Sequence, residues 1–499
     1  MNGAEAVILT LYYLVLSALA VYSIHRFYLV RLRRRTPEPP RITAAVFPPV
    51  TIQLPLYNEP AVAERLLNAV AAIEYPGRLD IQVLDDSTDE TLAIVAACVE
   101  QMRARGVRVE HIRRSSRDGF KAGALAEGFR RSDSDLFAVF DADFVPPPDV
   151  LLRVVPYFAD PRVGMAQMRW THLNREQSLL TRVQALFLDA HFAVESAARN
   201  FGGRFFNFNG TAGVWRRSAI EEAGGWSSST LTEDLDLSYR AQLAGWEFVF
   251  LSDVEVPAEL PAALSGFQDQ QHRWTKGSIQ TARKLLGAIL SSRFRGVVKT
   301  EAAFHLTNNC AYLLSLVLAL LIVPAMHIRY AHDLLWTFFI DLALFLASSG
   351  SVLLFYREGQ RWAGRPAPRW RELFAVLPVG VGMSVRNAAA VVEGLFEQGG
   401  YFKRTPKQGS AWSAVAPSYR FLWRRSRRSA ALESGSSALP HSKSPYRAYA
   451  ELALALYFTV VVLAFAQAGR WVSVPFLTLF VSGYGYFAVL AMAERLHFR

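Results

Sequence analysis

An α/β domain enclosed between membrane-spanning helices is the fold class this 499-residue sequence predicts, and three observations predict it. Hydrophobic residues make up 52% of the chain and charged ones 19%, and the apolar excess is gathered near the N-terminus and beyond residue 300. Between residues 48 and 260, short β-type runs alternate with helical patterns, the rhythm of a mostly parallel sheet covered on both faces. The basic residues stand beside the apolar spans, as the positive-inside rule requires.

Residues 6–25 are almost wholly apolar and long enough to cross a bilayer as a helix. The charges Arg31, Arg33, Arg34 and Arg35 follow this stretch instead of preceding it, and no small-residue cleavage site is evident. A retained anchor with its N-terminus outside is therefore expected, spanning residues 1–32. Later spans are expected near residues 306–326, 334–356, 451–468 and 472–492, a five-helix arrangement with the C-terminus inside. Residues 373–395 are apolar but carry Arg386, Asn387 and Glu393. A full crossing there would put Lys403, Arg404, Lys407 and the basic run at 424–428 outside, so this segment reads as interfacial or re-entrant. Residues 175–198 place Leu179, Leu180, Val183, Leu186, Phe187 and Ala190 at helical spacing, which suits a lipid-facing helix and a core helix equally. Residues 426–444 are Ser-rich and polar, a linker composition.

Partner classes are bounded by the same placement. The net charge of +11 would suit nucleic acid, but Arg293, Arg295, Lys299 and the run at 424–428 flank apolar segments, so membrane lipid and not nucleic acid is the expected contact. Cys98 and Cys310 cannot build a disulfide framework or a zinc cluster.

Strands are expected at 50–54, 81–84, 107–112, 136–140 and 164–168, with helices such as 61–73 and 88–105 between. In such a sheet, ligands gather at the carboxyl ends of the strands, and the notable residues fall there. Tyr57 and Glu59 follow the first strand, Asp86 follows the second, and Asp141 and Asp143 end the fourth. Two carboxylates one residue apart can share a hard divalent cation and nucleotide oxygens. Thr232, Glu233 and Asp234 precede a helix, whose dipole such acids also satisfy. Gln270, Arg273 and Trp274 lie just before the second apolar region: an Arg can neutralise a diphosphate and an indole can support a sugar face, while a basic-aromatic belt at the membrane interface remains the alternative.

Taken together, QVLDDSTDET, DGFKAGAL, FDADFVPPPD, FNFNGTAGVWRR, EAGGW, TEDLDLSYRAQLAGW and QQHRW resemble glycosyltransferase family 2, specifically the cellulose-synthase superfamily and its A and C groups, which make mannan or glucan backbones. The resemblance covers residues 51–279 and implies a Rossmann-like GT-A glycosyltransferase domain at 33–300, facing the cytoplasm, joined to a transmembrane region at 301–499. By it, Tyr57, Glu59, Asp86, Lys121 and Asp141 would hold the nucleotide, and Asp143 with Asp141 the metal, Mg²⁺ or Mn²⁺. Asp234 would be the base, with Thr232 and Glu233 near the acceptor. Gln270, Arg273 and Trp274 would hold the diphosphate and the terminal sugar of the glycan acceptor, and Phe208, Asn209 and Gly210 would line the acceptor site. FKRTPK resembles a gating loop, within 396–447, with Phe402, Arg404, Thr405 and Lys407 at its motif positions; Arg404 departs from the bacterial cellulose-synthase pattern. Phe144, where those enzymes carry His, points away from cellulose itself.

The implied activity is inverting, processive transfer of hexose from UDP-glucose or GDP-mannose to a β-linked polysaccharide, in a bacterial-type inner membrane. A single-transfer enzyme of the ceramide glucosyltransferase type shares much of the motif set and is the alternative. No cyclic-di-GMP-binding domain is expected after the last span.

Overall fold

The computed structural model describes residues 1–38, 40, 42, 46–400, 405, 407, 409 and 446–497. Phe402, Arg404 and the linker at 426–444 lie outside the described residues.

The α/β domain is built on seven strands: β1 (Val50–Leu56), β2 (Leu79–Asp85), β3 (Val109–Ile112), β4 (Leu136–Val139), β5 (Val163–His172), β6 (Gly213–Arg216) and β7 (Glu247–Ala258). Their order is β3-β2-β1-β4-β6-β5-β7. All neighbours are parallel except β6, which runs antiparallel to β4 and β5. The five expected strands are all present; β6 and β7 were not anticipated. β1 shows why a central strand reads as continuously buried. Val50, Ile52, Leu54 and Leu56 pack into the core on one face. On the other face, Gln53 donates to Gln82 at 3.0 Å and Thr51 to Ser134 at 2.8 Å, so both polar side chains take part in buried hydrogen bonds.

Helices cover both faces: α2 (Ala63–Ala71), α3 (Thr91–Ala104), α4 (Phe120–Arg131), α5 (Val150–Val154), α6 (Leu179–Ala190), α7 (Ala197–Phe201), α8 (Arg217–Glu222), α9 (Glu233–Leu243) and α10 (Leu264–Ser291). Between α6 and α7, residues His191–Ser196 form one π-helical turn. The open question over α6 has a definite answer. Leu180, Val183 and Leu186 are buried against Leu264 and Phe267 of α10 and against apolar residues of the C-terminal helices, so this face is a core between the two parts of the chain.

Outside the sheet domain lie α1 (Gly3–Arg35), before it, and α11 (Gly296–Thr307), α12 (Cys310–Ala331), α13 (Phe338–Trp362), α14 (Trp370–Phe396), α15 (Tyr446–Gln467) and α16 (Val474–His497), after it. α1 starts on a capping box, Asn2 accepting from the Glu5 amide at 2.9 Å, and ends on Arg33, Arg34 and Arg35, which suit the negative end of the helix dipole. Among the described residues six helices, α1 and α12 to α16, are long and apolar enough to cross a membrane by length and composition. The sequence reading counted five and set α14 apart. In α14 the apolar window is 56% buried inside the protein, the highest share of the six. Its two ends also touch the same domain: Glu372 pairs with Arg182 at 3.2 Å and Glu393 with Lys276 at 3.3 Å. Those positions lie about 30 Å apart along a helix, so α14 runs along the face of the α/β domain. Of the other five, α12 with α13 and α15 with α16 make two hairpins whose turns lie near the start of α1: His332 meets Glu5 at 3.0 Å, and the Arg470 guanidinium lies 4.3 Å from the Tyr330 ring centre.

Candidate active site

The carboxyl ends of β1, β2 and β4, adjacent in the sheet, open into one cleft, and the chain after each strand turns into it. Tyr57 and Glu59 enter from β1, Asp86 from β2, Asp141 and Asp143 from β4, and Glu259 from the end of β7. Asp85 turns away from the cleft, accepting from the Ser87 amide at 2.9 Å and meeting His111 at 2.9 Å, whereas Asp86 accepts from Arg114 at 3.0 Å. The opposite wall is made by the start of α9 and by α10. These helices meet where Gly277 faces Thr232; a Cβ on Gly277 would lie 2.5 Å from the threonine methyl, so glycine permits the approach.

Lys121, in the first turn of α4, crosses the cleft floor. It pairs with Asp141 and donates to the Gly210 carbonyl at 2.9 Å. The Asp141 amide in turn donates to Thr211 at 2.8 Å. Gly210 has φ of +83°, and an added Cβ would lie 3.0 Å from Asp234 Oδ2. The FNG turn therefore abuts the Asp234 carboxylate. Asp234 Oδ1 accepts from the Leu235 amide at 2.8 Å.

The electrostatics follow from crowding acids where water is excluded. Burial, and then the charge of Glu233 beside it, push the Asp234 carboxyl up to about 7, against the pull of the Leu235 amide and Lys121. Burial also raises Glu233, with Lys121 opposing. Burial alone would lower Lys121, but Asp141, Glu233 and Asp234 outweigh it and hold the ammonium above its usual value. Burial lowers Arg273, and Glu233, Asp141, Asp234 and Glu59 oppose that shift, which places the guanidinium in the same field of acids.

Most residues singled out from sequence line this single cleft: Tyr57, Glu59, Asp86, Lys121, Asp141, Asp143, Asn209, Gly210, Thr232, Glu233, Asp234, Gln270, Arg273, Trp274, Thr405 and Lys407. Among the described residues Phe208 is the exception. It is fully buried and packs edge-on against Trp215 at 5.7 Å, because its ring belongs to the second core of the sheet. Thus Asn209 and Gly210, not Phe208, reach the cleft. Sequence reading also missed Arg117, whose guanidinium lies 3.3 Å from the Tyr57 ring centre, and Glu259, paired at 2.6 Å with Arg65. The basic run RRSSR ahead of DGFK was the available signal for Arg117; Glu259 had none, since it lies just beyond an unrecognised strand.

Asp143 pairs with Lys407 at 2.7 Å, and Lys407 also donates to the Glu259 carbonyl at 2.8 Å. Each carboxylate of the D-x-D pair therefore faces an ammonium group, which marks both as positions that favour positive charge. Among the described residues no group of three or more His, Cys, Asp or Glu could hold a metal ion. The donor set nonetheless fits a hard divalent cation that takes its remaining oxygens from a diphosphate.

Residues 48–277 match the model of the glycosyltransferase-like family 2. Over 291 residues the chain is 40% identical to the probable glucomannan 4-beta-mannosyltransferase 9 of Oryza sativa subsp. japonica, covering 56% of this chain and 55% of that protein. It is 40% identical over 292 residues to the glucomannan 4-beta-mannosyltransferase 7 of Arabidopsis thaliana, covering 56% and 52%. The chain spans about half the length of the curated relatives it matches. Among solved structures, a mannosyltransferase from Pyrobaculum calidifontis in complex with GDP-Man and Mn²⁺ superposes with a TM-score of 0.54 at 20% identity, covering 78% of this chain and 99% of that one. That likeness supports the GT-A fold. These relatives come from rice and Arabidopsis, so the expected bacterial inner membrane finds no support in them. Residues 48–277 therefore carry a domain similar to the glycosyltransferase-like family 2, and the curated relatives of this chain bear the name glucomannan 4-beta-mannosyltransferase.

Proposed function

We propose that the protein is a membrane-embedded, inverting and processive hexosyltransferase that extends a β-linked polysaccharide, with mannose from GDP-mannose as the favoured donor. The observation that carries the reading is the meeting of Asp141, Asp143, Asp234 and Arg273, from three separate stretches of sequence, around one cleft. The names of the relatives favour mannosyl over glucosyl transfer.

In this reading Tyr57, with Arg117 over its ring, offers a face for the nucleobase, and Glu59 and Asp86 accept from base or ribose. Asp141 and Asp143 would hold the divalent cation; when bound, it neutralises charge developing on the leaving diphosphate. Lys121 and Arg273 supply fixed positive charge for the same group. The acceptor hydroxyl attacks the anomeric carbon on the face opposite the phosphate and gives its proton to Asp234. The anomeric C–O bond to phosphate breaks as the glycosidic bond forms, so an α-linked donor yields a β-linked product. A carboxyl raised towards neutrality is a stronger proton acceptor than an ordinary one. Thr232 and Glu233 shape the acceptor side with Asn209 and Gly210, and Trp274 offers its face to the terminal sugar while Gln270 borders the diphosphate. Thr405 and Lys407 cover the donor end, the role proposed for the gating segment. The sheet domain would face the cytoplasm in a multi-pass membrane protein, with α14 at the interface.

The test is incubation of the purified protein in lipid with GDP-mannose or UDP-glucose and Mg²⁺ or Mn²⁺, followed by analysis of product sugar, linkage and length. β-Linked polymer is expected from the wild type. Asp234→Asn should keep donor binding but lose about 10²–10⁴-fold in transfer. Polymer synthesis by Asp234→Asn at the wild-type rate rejects the assignment.

A further inference from the structure

Arg386 and Glu393 are charged residues in the largely apolar second half of α14, and the mechanism above gives them no task. Their partners lie on α10, the helix that carries Gln270, Arg273 and Trp274. Arg386 pairs with Asp269 and donates to Gln268 at 3.2 Å. One turn further along α10, Glu393 meets His272 and Lys276, each at 3.3 Å. Asp269, His272, Lys276 and Gln280 recur at spacings of three and four, so they form one stripe along α10. Gln270, Arg273, Trp274 and Gly277 form a second stripe, turned roughly 110° from the first. One stripe faces α14 and the other faces the cleft.

The contact continues into the other wall of the site. Gln280, 3% exposed, donates to the Gly399 carbonyl at 2.7 Å, just past α14, and accepts from the Leu231 amide at 2.9 Å, just before Thr232. The Gly399 amide donates to the Ser229 carbonyl at 3.2 Å. Gly394 allows this closeness: a Cβ there would lie 2.9 Å from the Lys276 carbonyl oxygen. The seam thus sets the charged groups of α14 against Asp269, His272 and Lys276, of which Asp269 and His272 stand next in sequence to the cleft residues Gln270 and Arg273.

We infer that α14 is a brace that sets the position of both reactive walls, with Arg386 positioning Arg273 and Trp274 through Asp269, and Gln280 positioning the turn that carries Asp234. The inference rests on the proposed role of Arg273 at the diphosphate. Arg386 and Gln280 touch neither donor nor acceptor. They are positioning residues, so their loss should weaken recognition of the diphosphate and slow transfer, while binding of the nucleoside, held by β1 and β2, stays as it was.

The experiment compares Arg386→Met, Arg386→Lys and Gln280→Met with wild type in lipid, after melting and gel filtration establish folding. It measures affinity for GDP and UDP against guanosine and uridine, and then kcat and donor KM. Arg386→Met is expected to lose about tenfold in nucleoside diphosphate affinity and about tenfold in kcat, with nucleoside affinity unchanged, and Arg386→Lys to recover most of both. Gln280→Met is expected to lower kcat without altering nucleoside affinity, and it decides the matter if Arg386→Met does not fold. Wild-type kcat in the folded variants, or equal loss of nucleoside and diphosphate binding, overturns the inference. A wild type that transfers from no donor instead sinks the proposed function, and the diphosphate-to-nucleoside comparison still reads the positioning.

Discussion

Replacing Gly210 by alanine perturbs the site through a single methyl group. Gly210 sits at φ +83°, where an L-residue costs about 1–2 kcal/mol. For a domain of this size that amounts to a fall in melting temperature of about 2–8 °C. The new Cβ would lie 3.0 Å from Asp234 Oδ2 and 3.6 Å from Lys121 Nζ. Because the Leu235 amide anchors Oδ1 at 2.8 Å, the carboxylate yields by swinging Oδ2, the oxygen that faces Gly210. A misplacement of about 1 Å can cost 10²-fold in rate, so a shift of a few tenths of an ångström should lower kcat about five- to tenfold. Donor KM should change less than kcat, since Tyr57 and Asp86 enter the cleft from β1 and β2 and not from the FNG turn. Steady-state transfer kinetics in lipid, nucleotide affinity and a melting curve together decide it. A folded Gly210→Ala protein with wild-type kcat, or with loss confined to donor KM, refutes the contact between the FNG turn and the base.

Acidity gives a second handle. Asp234 must be ionised to accept a proton, so kcat should rise with pH through about 7 and level off above it, and a flat profile across that range would remove Asp234 as base. The same raised value means that this carboxyl's contribution to stability is complete below the ordinary carboxylate range and is lost as pH climbs through about 7. Asp143→Ala should abolish cation-dependent turnover and weaken Mn²⁺ binding read by paramagnetic resonance; unaltered Mn²⁺ affinity excludes Asp143 as a ligand. In the apolar helices, Arg329 is fully buried and pairs with Asp341 at 2.5 Å, with the Tyr12 hydroxyl at 3.0 Å from the same carboxylate. Arg329→Met strands that charge and should cost about 3–5 kcal/mol in thermal stability, while the added change Asp341→Leu should restore most of it. A single variant as stable as wild type contradicts the pairing.

The parts of the fold legible in the sequence are those whose signal lies within a few residues. The five anticipated strands show as short apolar runs bounded by turn residues, and the carboxylates at their ends could be ranked because a parallel sheet directs such ends to one edge. Phe208 was misplaced for the complementary reason. Within FNG, local pattern cannot tell which side chain points into the core, and the Phe208 ring is placed by the core it joins, against Trp215 of β6 and Trp226. Glu259 and Arg117 stayed hidden because their importance comes from what they face.

Sequence alone determined the alternation of strand and helix, the chemistry available at each strand end, and the apolar spans flanked by positive charge, since periodicity, residue type and charge are local properties. Tertiary structure alone decided that Lys407 meets Asp143, that α14 lies along the sheet domain with both ends tied to it, and that Asp234 is raised towards neutrality. Each of these depends on which distant groups exclude water from a side chain or bring charge to it, and that is settled only when the chain has closed on itself.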